Sequence, residues 1–126
     1  MRIKKARQIL RSFADDTRLR IINLLSKQEL NVTELHKILG SSQSNISKHL
    51  ARLRLTGVVG DFRKGFNVYY HIYEPENRAH KKLITAIIAG LSELKIFKKD
   101  IVKLNVIKKL EKARIKGKKR KENEYV

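Results

Sequence analysis

A chain of 126 residues can fold around one apolar core but is too short for two ordinary domains. Hydrophobic residues make up 41% of it, which excludes a wholly disordered chain, and Lys+Arg 30 against Asp+Glu 12 leaves a formal charge of +18, which calls for an anionic partner such as nucleic acid or an anionic membrane surface. Cysteine is absent, so disulfides, thiolate metal sites, thiol redox switches and Cys nucleophiles are excluded.

Apolar Ile3, Ile9, Leu10 and Phe13, spaced among Arg and Lys, predict a first helix over about residues 2 to 14. Asp15, Asp16 and Thr17 supply N-cap chemistry for a second helix, in which Leu19, Ile22 and Leu25 share a face with Ile21 and Leu24 alongside. Asn31 or Thr33 can cap a third helix carrying Leu35, Ile38 and Leu39. Gly40 then provides the positive φ that ends a helix and turns the chain.

Ser42 is the N-cap of a fourth helix, where Ile46, Leu50 and Leu53 recur at i, i+4 and i+7 while Gln43, Ser44, Ser47, Lys48 and Arg52 fall largely elsewhere. Two short helices joined by a glycine turn, the second polar on its exposed face, form a helix-turn-helix. Gly57 stops that helix. Val58, Val59 and Phe62 lead through Arg63-Lys64-Gly65 into Phe66, Val68, Tyr69, Tyr70 and Ile72, a β-branched and aromatic run that predicts a hairpin with a basic tip.

Pro75 permits a further helix to begin at its own position, and Leu83, Ile84, Ile87, Ile88, Leu91 and Leu94 give it a wide apolar face that needs a partner. Phe97, Ile101 and Leu104 continue at helical spacing, until Lys116-Gly117-Lys118-Lys119-Arg120-Lys121 begins a basic tail expected to be disordered. The division expected is residues 1–96 as a winged helix DNA-binding and dimerisation domain, 97–115 as an additional amphipathic helix packed beside the dimer helices, and 116–126 as the tail. The fold class is mainly α with a small β-hairpin wing. No apolar run approaches the roughly 18 residues a spanning helix needs, and Met1-Arg2-Ile3-Lys4-Lys5 lacks a signal peptide's apolar stretch, so a cytoplasmic protein without a membrane partner is expected.

Recognition helices need short polar side chains near the N-terminus, because that end enters the major groove and its free N–H groups can face a phosphate. Ser42, Gln43, Ser44 and Asn45 meet this requirement. Gln43 suits a bidentate pair with adenine, Ser47 or His49 can touch base edges or phosphates, and Lys48 and Arg52 lie where backbone or guanine contacts fit. Arg63 and Lys64, at a tight turn, suit a wing reaching the minor groove or its phosphates.

These segments resemble the ArsR/SmtB family of small winged helix repressors from about Phe13 to Ile72. Residues 14–22 (Ala14 to Ile22) look like that family's second-helix entry, 42–50 (Ser42 to Leu50) like its recognition helix, and Lys64-Gly65 through Tyr69-Tyr70 like its wing. The resemblance implies an α-α-α-α-β-β-α fold dimerised through its first and last helices, and a repressor of double-stranded DNA carrying an inverted repeat. Many members sense metals, some through two cysteines in a Glu-Leu-Cys-Val-Cys-Asp-Leu pattern. Here Glu29-Leu30-Asn31-Val32-Thr33-Glu34-Leu35 stands in its place, with Asn31 and Thr33 where the thiols would be. Another family site pairs an Asp-x-His with a second His on the last helix, but no His follows His80. No metal and no cofactor are therefore expected.

No Gly-rich phosphate loop, paired carboxylates or nucleophile motif supports an enzyme. The rival reading is a sequence-tolerant architectural nucleic-acid-binding protein, for which charge alone would suffice. A third is a protein-interaction module built on the long C-terminal helix.

Overall fold

The computed structural model describes residues 1–124. Helix α1 spans Ile3–Phe13 and α2 spans Asp16–Leu25; a two-residue strand β1, Leu30–Asn31, leads directly into α3, Val32–Leu39. Helix α4 covers Gln43–Leu55, strands β2 and β3 cover Val59–Lys64 and Asn67–Ile72, and helices α5 and α6 cover Arg78–Leu91 and Lys95–Glu124. This is the expected mainly helical winged arrangement.

Local chemistry sets most boundaries. The Asp15 side chain accepts from the Arg18 N–H at 3.0 Å and starts α2. At α3 a reciprocal capping box forms, in which the Glu34 N–H donates to Asn31 at 2.8 Å and the Asn31 N–H donates to Glu34 at 3.0 Å. Asn31, rather than Thr33, is thus the cap. Gly40 closes α3 at φ 72°, and two residues later Ser42 caps α4 by accepting from the Asn45 N–H at 3.2 Å.

Strands β2 and β3 pair antiparallel from Val59↔Ile72 to Lys64↔Asn67, so Gly65 and Phe66 alone make the turn. Gly65 takes φ 64° and no other residue type has a positive φ among the described residues, the pattern of a type II′ hairpin. Beyond the expected hairpin, β1 pairs Leu30 with Tyr70 and Asn31 with Tyr69, giving a sheet in the order β1-β3-β2. Two residues carry no alternation to read, so this strand has no sequence signature.

The start of α5 differs from the expectation at Pro75. The Asn77 side chain accepts from the His80 N–H at 3.0 Å, and this cap places the first helical residue at Arg78. Leu94 also falls outside α5, because the chain turns at Ser92 and Glu93 and begins α6 at Lys95.

The core is built from Ile9 and Phe13 of α1, Ile21, Ile22, Leu24 and Leu25 of α2, Leu35 and Ile38 of α3, and Ile46, Leu50 and Leu53 of α4, closed by Val58, Val59 and Ile84. Leu104 of α6 joins it at 1% exposure. Helix α6 therefore packs chiefly on α2 and α3, where packing beside the dimer helices is expected. It also continues through Glu124 without a break, so residues 116–124 are helical where a disordered tail is expected. Cations near a helix C-terminus complement its dipole, and no proline interrupts the run. Residues 125 and 126 of the expected tail lie outside the described residues.

Candidate nucleic-acid interface

The polar residues of α4 and its cap lie on the side opposite its buried Ile46, Leu50 and Leu53. Ser42, Gln43, Ser44, Ser47, Lys48 and Arg52 are exposed, while Asn45 and His49 are partly buried. Arg63 and Lys64 are exposed at the end of β2, beside the turn. The structure thus gathers the first group on one helix face and the last two on the hairpin tip.

Asn45 and His49 are engaged within the protein. The Asn45 amide donates to the Ser41 hydroxyl at 2.6 Å, which holds the turn between α3 and α4. His36 reinforces the same turn, with its Nδ1 2.6 Å from the Ser41 carbonyl. His49 places Nδ1 3.3 Å from an Arg18 guanidinium nitrogen and 3.7 Å from an Asp15 carboxylate oxygen. Burial alone would raise the Asp15 pKa; the Arg18 N–H, the His49 and Arg18 charges and the Thr17 N–H outweigh it and hold that carboxyl below its ordinary value.

Arg18 is a residue that the spacing of apolar positions does not single out. Its Nε donates to the Ser12 carbonyl at 2.6 Å, so one guanidinium ties the end of α1, the start of α2 and the middle of α4. Arg54 of α4 pairs with Asp61 of β2 at 3.0 Å and links the helix to the wing. At the wing tip Phe66 is fully exposed, whereas Phe62 stacks on Tyr69 with ring centroids 5.8 Å apart.

His80 is buried near α1, and its Nε2 has no hydrogen-bond partner among the described residues. Burial and the charge of Lys5 both lower its pKa, which favours the neutral ring. No group of three or more His, Asp or Glu residues that could hold a metal ion occurs among the described residues. No described helix is long and apolar enough to cross a membrane.

The model of the bacterial regulatory protein, arsR family, matches residues 15–60, the stretch from the cap of α2 to the start of β2. The chain is 46% identical over 66 residues to the arsenic resistance transcriptional regulator ArsR1 of Pseudomonas putida, spanning 52% of each chain, about half the length of that relative. It is 35% identical to the transcriptional repressor PagR of Bacillus anthracis, over 69% of this chain and 88% of PagR. The transcriptional activator HlyU of Vibrio cholerae is 38% identical over 64% of this chain and 74% of HlyU. The solved structure of reduced HlyU superposes with a TM-score of 0.62, covering 73% of this chain and 90% of that one.

Proposed function

Because this chain belongs to the ArsR/SmtB family of winged helix-turn-helix regulators, we propose that it is a homodimeric, sequence-specific transcriptional repressor that binds an inverted repeat in double-stranded DNA. The observation that carries this reading is the exposed polar edge of α4. Gln43, Ser44, Ser47 and Lys48 project from a helix end whose cap, Ser42, still leaves N–H groups free to meet a phosphate.

In this reading the α4 N-terminus enters the major groove and Gln43 and Ser47 meet base edges. Lys48, Arg52 and the wing residues Arg63 and Lys64 fix the register on the backbone. Asn45 and His49, held by Ser41 and by Arg18 with Asp15, set the angle at which the helix is presented. Residues 1–96 supply DNA binding and dimerisation.

Dimerisation through α1 and α5 is supported by apolar surface left open in one chain. Ile3 is 83% exposed and Leu10 52% exposed on α1, and Leu83, Ile87, Ile88 and Leu91 of α5 are only partly covered. A twofold axis there would set two recognition helices about 34 Å apart, one turn of DNA. The protein acts in the cytoplasm, performs no catalytic step and needs no metal or cofactor.

Selection of bound fragments from a random DNA library by the purified protein, followed by sequencing, tests the reading. A recovered inverted repeat should bind at least about a thousandfold tighter than random duplex. Equal affinity for all fragments would instead mark a sequence-tolerant architectural protein.

A further inference from the structure

Helix α6 lies along the helix-turn-helix in a fixed direction. Near its start the Phe97 carbonyl accepts from Asn23 of α2, and Asp100 pairs with Arg20. Further on, Lys108 meets Glu34 in the first turn of α3, and Ile107, Leu110, Glu111 and Arg114 line a crevice with Lys37 in the last turn of α3. Later residues of α6 thus meet later residues of α3, so the two helices run in the same sense toward Gly40 and the start of α4.

The lengths are unequal. From Glu34 to Leu39 α3 rises about 8 Å, whereas from Lys108 to Lys121 α6 rises about 20 Å. The excess carries α6 past the end of α3 on the side where the recognition helix begins. Seven of the ten residues from Lys112 to Lys121 are Lys or Arg, none is acidic, and all ten are exposed. Like charges stacked at i, i+4, such as Lys112 with Lys116 and Arg114 with Lys118, repel one another, and Gly117 weakens the helix further. A surface of negative charge along this overhang would remove that repulsion.

We propose that residues 112–121 form a helical arm that binds the DNA backbone beside the recognition helix, on the flank where α3 faces the phosphates. The first helix of a helix-turn-helix crosses the backbone, and α6 lies alongside α3 and runs in the same sense. The arm reads no bases. It adds phosphate contacts at a defined place, held by the Arg20–Asp100 and Glu34–Lys108 pairs that anchor its packed half. The inference rests on the DNA-binding reading above.

Salt titration of binding to a random-sequence DNA duplex of about three helical turns tests it, with the full chain throughout. Replacing Lys116, Lys118, Lys119 and Lys121 with Gln should flatten the slope of log affinity against log salt by about 0.9 for each phosphate no longer neutralised. Replacing Lys27, Lys82, Lys95 and Lys99 with Gln removes the same charge elsewhere and should leave the slope as in the parent. Ile115→Pro retains every charge but breaks the helix within the arm, ahead of Lys116 to Lys121, and its slope should fall with that of the first variant.

Equal slopes in the first two variants would show an effect of net charge alone and overturn the arm. An unchanged slope in Ile115→Pro would mean that a flexible cationic segment suffices, and would also overturn it. Absence of salt-dependent DNA binding by the parent protein would instead remove the DNA-binding reading itself, and the arm with it.

Discussion

Arg20 and Asp100, eighty positions apart in sequence, form a two-pronged ion pair in which Nε and Nη2 donate to the two carboxylate oxygens at 2.8 and 2.9 Å. The Asp100 side chain has no exposure and that of Arg20 retains 23%. The hydrogen bonds to Asp100 hold the guanidinium more firmly protonated than usual, against the opposing effect of burial. This asymmetry predicts unequal costs. Arg20→Ala strands a buried carboxylate and should destabilise by about 3–5 kcal/mol, whereas Asp100→Ala leaves a guanidinium that can reach water and should cost less. Denaturant unfolding of the two variants checks the order, and equal losses would contradict it.

Glu34 closes the α3 capping box and also accepts from Lys108 of α6. Burial pushes its carboxyl up, but the hydrogen bonds from Lys108 and the Asn31 N–H outweigh this and hold it below its ordinary value. A depressed carboxyl contributes stability above its unfolded-state pKa, and that contribution fades as pH falls through the folded-state value. Stability should therefore drop on acidification below about pH 4, and Glu34→Gln should flatten that acid limb while costing about 1–3 kcal/mol at neutral pH. Thermal unfolding across the acid range measures both. An identical acid limb in the variant would assign the drop to other groups.

Gly40 sets the angle between α3 and α4 at φ 72°, and nothing lies within 4 Å of where its Cβ would be. The cost of a side chain there is consequently backbone strain alone. Gly40→Ala should destabilise by about 1–2 kcal/mol, and Gly40→Asn by less, because Asn tolerates the left-handed region. Chemical denaturation separates the two. Equal stability of all three proteins would show that the turn relaxes at no cost.

Zinc and arsenite should leave DNA affinity unchanged. The chain has no thiol, and Asn31, at the position where the family resemblance implies a cysteine, is committed to the α3 cap. Titrating either ion into the protein–DNA complex gives the answer directly. Release of DNA at stoichiometric zinc would reveal a site built from other residues.

Helix boundaries were most legible where one residue decides them. Asp15, Ser42 and Gly40 act through hydrogen bonds or dihedrals within three positions of themselves, so their roles are local and readable. Strand β1 was hidden because its two residues exist as a strand only through Tyr69 and Tyr70. The spacing of Phe97, Ile101 and Leu104 announced a buried face on α6 but not what would cover it, since Arg20 and Glu34 lie 80 and 74 positions from their α6 partners. The same holds in the candidate site. The exposed face of α4 follows from periodicity, whereas the internal ties of Asn45 and His49 depend on Ser41, Asp15 and Arg18, which helical spacing on α4 cannot reveal.

In the proposed function the N-terminal face of α4 reads DNA sequence. Its most direct test compares affinity for a selected inverted repeat with that for random duplex, in the parent and in single alanine variants. Gln43→Ala and Ser47→Ala should each lose about 1–3 kcal/mol of discrimination for every base edge no longer read, while Lys48→Ala, Arg52→Ala and Arg63→Ala should weaken both duplexes by similar factors. Unchanged discrimination in both Gln43→Ala and Ser47→Ala would rule out sequence reading by this face and move the reading surface off this helix.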